Sequence, residues 1–167
     1  MKPSQEIYNE HYTRLINAIE MKETDRPPIL LSADVFFLKY AEPNALCADL
    51  VRRPEWAADK QIEGILKLGG GEIDCIERFK PTPVTIGAVW FSNTRLPGRE
   101  LKEDDLWQVD EVGVMEDEDY DFMIDNGWQA FSLKMLSRLN YTPEEMKLNM
   151  DLTRIYNKKL QDNGIVT

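Results

Sequence analysis

Three things are scarce in this sequence: histidine, cysteine and long apolar runs. His11 is the only histidine among 167 residues, and Cys47 and Cys75 are the only cysteines. One histidine and two distant cysteines do not match the ligand spacing of zinc sites. A Ser-His-Asp triad would need His11, which we place on a surface-facing helix. We therefore predict that this chain holds no metal and that its two thiols are reduced and structural.

Apolar runs and basic residues are also too few for several classes of partner. No uncharged apolar run approaches the roughly 18 residues of a membrane span, and the N-terminal stretch MKPSQEIYNEHY lacks the apolar segment of a secretion signal. Lysine and arginine number 20 against 30 acidic residues, which gives a net charge of −10. Because this charge repels phosphates, we expect neither nucleic acid nor an anionic membrane as a partner. The sequence predicts a cytoplasmic protein.

The first half of the chain alternates between helical and extended patterns. Apolar residues recur at helical spacing from Ile7 to Ile19, which predicts an amphipathic N-terminal helix. The apolar run at 29–34 predicts a short strand, 43–71 a helical region, and 72–77 a second strand. Strand, helix and strand in that order form a βαβ unit, which is parallel and right-handed in nearly all proteins.

The middle of the chain departs from this alternation. Residues 82–91 form an apolar run that predicts a strand, and residues 106–115 predict a further extended segment. The two segments can pair antiparallel, as an excursion near 84–112 outside the parallel order. Between them lies a polar loop, RLPGRELKEDD, for which the sequence offers two interpretations: a roof over a binding pocket, or a structural rim.

The last third of the chain predicts helices and then the start of a strand. The acidic run at 116–126 suits the N-terminus of a helix, where the helix dipole favours negative charge, and Gly127 breaks that helix. Thr142 and Glu145 have the spacing of a capping box at the start of a long final helix. The β-branched residues at 165–167 then predict the beginning of a third strand.

The predicted fold class is α/β, with residues 1–167 as a single partial domain. Its parts are an N-terminal helix, two βα units with the excursion, and the start of a third strand. We interpret this as the N-terminal portion of a (β/α)8 TIM-type barrel, incomplete in this chain, because a closed barrel needs about 200–250 residues or more. Two or three parallel strands would leave strand edges unpaired. The alternatives are pairing with a second chain, as a homo-oligomer or with the missing barrel half, and a small open sheet.

Several segments resemble one enzyme superfamily. These segments are ETDRPPILLSAD, EWAADKQIEGILKLGGGEIDCIE, PTPVTIGAVWFSNTRLPGREL, DLWQVDE and EDYDFMIDNGW. They are similar to the N-terminal part of the uroporphyrinogen decarboxylase superfamily, and closest to its corrinoid-dependent methyltransferase-like branch. The resemblance covers nearly all of this chain but less than half of a complete member.

The resemblance implies a function for the complete enzyme. It implies a TIM-barrel methyltransferase that demethylates a small methylated substrate, such as a methoxylated aromatic, and passes the methyl group to a corrinoid (cobalamin) held by a partner protein. Zinc ligands of that branch lie in later strands, so this chain alone is expected to bind no cofactor and to be inactive. Two alternatives remain open: a decarboxylase of tetrapyrrole biosynthesis, and a non-catalytic acidic module that binds a partner through strand edges.

One departure from the superfamily weakens the decarboxylase alternative. The decarboxylase carries an arginine-rich RQAGRY stretch soon after its first strand, which binds substrate carboxylates. Residues 33–45 of this chain, ADVFFLKYAEPNA, contain no arginine. A substrate with many carboxylates needs several fixed cations, for which arginine is the best-shaped residue.

Five residues are candidates for the site. Asp74 matches the position of the decarboxylase aspartate that polarises the substrate, so the resemblance implies a catalytic role for it. Asp34 ends the first predicted strand, where a barrel mouth would lie; the competing interpretation is a helix cap. Trp90 offers a flat apolar surface for an aromatic ring, while Asn93 and Glu111 offer polar contacts to substrate. The competing interpretation of the tryptophan is a core residue.

Overall fold

The computed structural model describes residues 4–33, 35–69, 72–77, 80–110 and 113–167. The elements in chain order are α1 (Ser4–Ile19), β1 (Leu30–Leu31), α2 (Val35–Ala41), α3 (Asp49–Arg52), α4 (Pro54–Gly69), β2 (Cys75–Ile76), α5 (Val84–Trp90), β3 (Thr94–Arg95), β4 (Gln108–Val109), α6 (Glu118–Leu136) and α7 (Pro143–Gln161).

A short parallel sheet organises the first and last parts of the chain. β1 pairs parallel with β2, with Leu30 opposite Cys75. Val166 pairs parallel with Cys75 from the other side, through hydrogen bonds from Ile76 N to Val166 O and from Val166 N to Asp74 O, each 3.0 Å. The spatial order is therefore β1, β2, Val166. Helices and parallel strands alternate here, so the expected α/β class is confirmed.

Helices α4 and α7 cover this sheet because each carries an apolar stripe at helical spacing. Leu152, Tyr156 and Leu160 recur every four residues along α7 and are buried in the core cluster shared with α4. The N-terminus of α7 has the expected capping box, with the Thr142 hydroxyl accepting from Glu145 N at 3.1 Å. Helix α4 lies between β1 and β2 in the chain, and α7 lies between β2 and Val166, as connections between parallel strands require.

The strand expected at residues 82–91 is wrong, because Val84–Trp90 forms α5. Pro83 precedes the helix in a helical conformation, where a proline costs no hydrogen bond. Phe91 ends the helix in the left-handed conformation, and its N–H donates to Gly87 O. The antiparallel excursion is short: among its described residues it consists of the β3–β4 pair, with Arg95 opposite Gln108.

The polar loop between β3 and β4 is held against the protein by hydrogen bonds and does not project away from it. Its first residue after β3, Leu96, is buried. Glu103 O accepts from Ala48 N at 2.8 Å, and the Asp104 carboxylate accepts from Lys39 at 2.6 Å and from Cys47 N at 3.2 Å. The acidic residues of the loop therefore bind the segment from α2 to α3, which supports the structural-rim interpretation.

A glycine bends the long helix α6. Gly127 has φ 80° and ψ 168° within the helix, so the break expected there is confirmed. The rings of Trp128, Phe131 and Phe91 meet just after it, with centroids 5.4–5.9 Å apart. Within the described part of the chain, no helix is long and apolar enough to cross a membrane.

Candidate functional site

The carboxyl edge of the parallel pair carries a polar contact between strands. Ser32 follows β1 and Glu77 follows β2, and the Ser32 hydroxyl donates a hydrogen bond to Glu77 Oε2. Both residues are exposed to solvent or nearly so. Because α/β proteins bind ligands outside the carboxyl ends of their strands, this pair occupies the position where a site is expected.

Asp74 lies at the opposite, amino end of β2, so its position differs from the barrel-mouth position expected for it. Its carboxylate is fully buried. It accepts from Arg14, from Arg26 Nη1 at 2.6 Å and from Ile29 N at 2.7 Å. Burial alone would raise the pKa of Asp74, but these hydrogen bonds outweigh burial and lower the pKa. A carboxylate saturated by two arginines has little left to offer a substrate.

His11 completes this charged cluster and is not on the surface, which corrects the expectation. It is buried against the amino end of the sheet, with Nδ1 2.8 Å from Gly164 O and Nε2 3.7 Å from Asp74 Oδ1. Hydrogen bonds to Asp25 and to Asp74 raise the pKa of Arg14 despite its burial. The cluster therefore fixes α1 to the sheet, and its contacts to Asp74 and to Gly164 join residues 45 to 153 positions apart in sequence.

Of the other predicted site residues, the two that the structure describes, Trp90 and Asn93, do not contact Asp74. Asp34 and Glu111 lie outside the described residues. Trp90 is at the end of α5 with 70 % of its surface exposed, which excludes the core interpretation. Asn93 links segments, since its Oδ1 accepts from Asn140 N at 2.8 Å. None of the described contacts of Asp74 involves these residues.

A groove between α5, α6 and α7 is the feature that sequence reasoning missed. It encloses about 670 Å³ and is lined by Phe91, Trp128 and Met150 among others. The buried amide of Asn149 also lines it and accepts from the hydroxyls of Thr82 and Thr85, at 2.7 and 2.9 Å. The one available signal was the position of Trp128 directly after a helix-breaking glycine.

The zinc implied by the resemblance does not fit the described residues. No three histidine, cysteine, aspartate or glutamate side chains come together among them in a way that would hold a metal ion. Cys47 is buried, donates to Asp104 O at 3.4 Å, and has its pKa raised to about 11 by burial and that hydrogen bond. Burial likewise raises the pKa of Cys75. Both thiols are therefore poor metal ligands at neutral pH, because a metal binds the thiolate.

Comparison of the chain with family models, with curated proteins and with solved structures finds no match.

Proposed function

We propose that this chain is the N-terminal segment of an α/β-barrel enzyme of the uroporphyrinogen decarboxylase type, most similar to the corrinoid-dependent methyltransferases. The proposed substrate is a small methylated compound such as a methoxylated aromatic. The observation that carries the proposal is the strand order: β1, β2 and Val166 lie side by side, parallel and in chain order. Consecutive parallel strands joined by helices are how such a barrel begins.

The carboxyl edge supplies the chemistry within this proposal. In the proposed reaction the methyl C–O bond of the ether breaks, the methyl group passes to a corrinoid held by a partner protein, and the phenolate oxygen takes up a proton. Ser32 and Glu77 are placed at the edge where substrate would bind, and their hydrogen bond joins the two strands. Since an ether oxygen only accepts hydrogen bonds, we assign the Ser32 hydroxyl to turn from Glu77 and donate to the ether oxygen, and the Glu77 carboxylate to accept from a hydroxyl next to it on the ring, as in 2-methoxyphenol.

The decarboxylase alternative has less support. Lys39 is the one cation between residues 33 and 45, and its ammonium is bound to Asp104 at 2.6 and 2.7 Å. The hydrogen bond to Asp104 raises the pKa of Lys39, which keeps the ion pair formed. A cation already engaged in this way is not free to bind a substrate carboxylate.

The test is a methyl-transfer assay on the complete product of the gene. The probe substrate is 2-methoxyphenol and the acceptor is cob(I)alamin, whose visible spectrum changes on methylation. We expect methylation that depends on the protein and releases catechol. Conversion of uroporphyrinogen with no reaction of 2-methoxyphenol would instead favour the decarboxylase alternative.

Two glutamates at opposite ends of β2 provide matched variants that test whether substrate binds at the carboxyl edge. Glu77→Gln should lower kcat/KM at least tenfold, about 1.4 kcal/mol, because Glu77 lies on the carboxyl side. Glu72→Gln should leave kcat/KM unchanged, because exposed Glu72 precedes the strand on the amino side. Equal effects of the two substitutions on kcat/KM would contradict the assignment of substrate binding to the carboxyl edge.

A further inference from the structure

One wall of the groove between α5, α6 and α7 is formed by aromatic side chains, of which Trp128 is largely exposed. Trp128 is 63 % exposed although it packs against Phe91, with ring centroids 5.9 Å apart at 61°. Met150 on α7 lies across from them and is also exposed. The volume of about 670 Å³ falls within the range of about 300–1,000 Å³ that small-molecule pockets show. The wall therefore suits a flat ring.

The polar groups of the groove leave mainly donors unused. The hydroxyl protons are committed: Thr85 donates to Asn149 Oδ1, Thr153 to Asn149 O, and Ser132 to Trp128 O, at 2.7–2.9 Å. A hydroxyl has only one proton to donate. The Nδ2 group of Asn149 donates to no described residue. A ligand in the groove can therefore accept a hydrogen bond from the Asn149 amide.

The charge of the groove is opposite to that of the molecule. The protein carries a net charge of −10, and the other large groove, beside α1, is lined by four carboxylates including Glu6 and Asp25. The described lining of the α5–α6–α7 groove includes no carboxylate and one cation, Arg154. Among the described residues, the one ion pair of Arg154 is with Asp151, at 3.3 Å and exposed to solvent. Exposed pairs of this kind are weak, so the guanidinium is free to turn to an anion.

We propose that this groove binds a planar aromatic carboxylate of the size of a substituted benzoate. The ring lies against Trp128 and Phe91, the carboxylate pairs with Arg154, and an acceptor substituent on the ring faces the Asn149 amide. The ligand needs no methyl ether, so the site goes beyond the proposed methyltransferase function. Its binding test is independent of the test for methyl transfer.

The first test compares two exposed tryptophans. Calorimetric titration of the full chain with 4-hydroxybenzoate should give saturable binding with a Kd below about 1 mM. Trp128→Leu should weaken binding at least tenfold. Trp90→Leu should not change it, because Trp90 is as exposed as Trp128 but does not line the groove. No saturable binding to the native chain, or equal losses in the two variants, would overturn the proposal.

The second test compares two cations on α7. Arg154 and Lys147 both pair with Asp151 and are equally exposed, yet only Arg154 lines the groove. Arg154→Gln should weaken 4-hydroxybenzoate about fivefold, the upper range for an exposed ion pair, and leave the neutral 4-hydroxybenzyl alcohol unaffected. Lys147→Gln should change neither affinity. Equal effects of the two substitutions would mean that the ligand senses net charge alone, and the assigned carboxylate contact would be wrong.

Discussion

Asp74 holds more of the structure together than its short side chain suggests. It joins α1 through Arg14, the segment before β1 through Arg26 and Ile29, and β2 through its own backbone. Asp74→Asn removes the buried charge that Arg14 and Arg26 share; Arg14 keeps its pair with Asp25, but breaking a buried ion pair typically costs about 3–5 kcal/mol. We expect a loss of that size in urea unfolding. Asp162→Asn, which breaks an exposed pair with Lys158, should change stability little, and similar losses in the two variants would contradict the assigned role.

Trp90 offers a second test at the level of one residue. Truncating a core tryptophan typically costs about 3–5 kcal/mol, whereas substitutions on the surface usually change stability by about 0.5 kcal/mol or less. Since 70 % of Trp90 is exposed, Trp90→Ala should fall in the second class. Thermal melting of the variant checks this, and a large drop in Tm would contradict the exposed position of Trp90.

The site could be predicted from the sequence only in part, and the reason is sequence distance. The resemblance implies a catalytic role for Asp74, which stays a prediction, while the structure places its carboxylate in a buried ion-pair cluster. Its partners Arg14 and Arg26 lie 60 and 48 residues away in sequence, and no local sequence pattern predicts these contacts. The groove was missed for the same reason, because Trp128 and Asn149 come from different helices and have no common motif.

Helix α6 shows how one element depends on a single backbone conformation. Gly127 has φ 80°, which side chains rarely adopt, although the space around its Cα is open. Gly127→Ala should therefore cost about 1–3 kcal/mol through backbone strain alone. Gly113 has equally open surroundings and no left-handed φ, so Gly113→Ala should be close to neutral. Calorimetric melting of the two variants distinguishes strain from a steric clash, and equal Tm values would exclude strain.

At the level of elements, strong local signals predicted well and short apolar runs did not. The capping box of α7 and the break at Gly127 depend on neighbouring residues, and the structure has both. The run at 82–91 is apolar on nearly every side, so its periodicity does not distinguish a buried strand from a buried helix. Pro83 was the overlooked indication, because a proline favours the first turn of a helix.

The molecule as a whole should lose stability in acid. Hydrogen bonds from Arg138 and Lys134 hold the pKa of Asp119 far below its usual range, and a hydrogen bond from Arg14 lowers the pKa of Asp25 to about 2. Unfolded aspartates titrate near about 3.9. The stabilisation is therefore complete above about pH 4 and is lost as the pH falls through the lowered pKa values towards about 2. Measuring the unfolding free energy against pH checks this.

A matched substitution identifies the source of the acid sensitivity. Asp119→Asn should make the slope below about pH 4 shallower, because asparagine has no proton to bind. Asp162→Asn should keep the slope of the native chain, since Asp162 contacts only the exposed Lys158 among the described ion pairs. An unchanged slope in Asp119→Asn would locate the effect elsewhere.

We also expect the chain of residues 1–167 to self-associate. Among the described residues β1 pairs only with β2, and Leu30 on its open edge is 52 % exposed. Unpaired strand edges with apolar side chains are templates for association. Sedimentation velocity should show a weight that increases with concentration, and Leu30→Lys should reduce that increase. A single monomer boundary at every concentration would contradict the expectation.

The contacts of His11 also determine when the first helix can take its place. Helix α1 is synthesised before its partners, since the His11 ring contacts the carbonyl of Gly164, 153 residues later, and the Arg14 guanidinium binds Asp74, 60 residues later. On the ribosome α1 therefore stays undocked until Gly164 has emerged. Contacts so distant in sequence slow folding, because the intervening chain must be closed into a loop first. An element made before its partners is in this way among the later ones to be fixed in place.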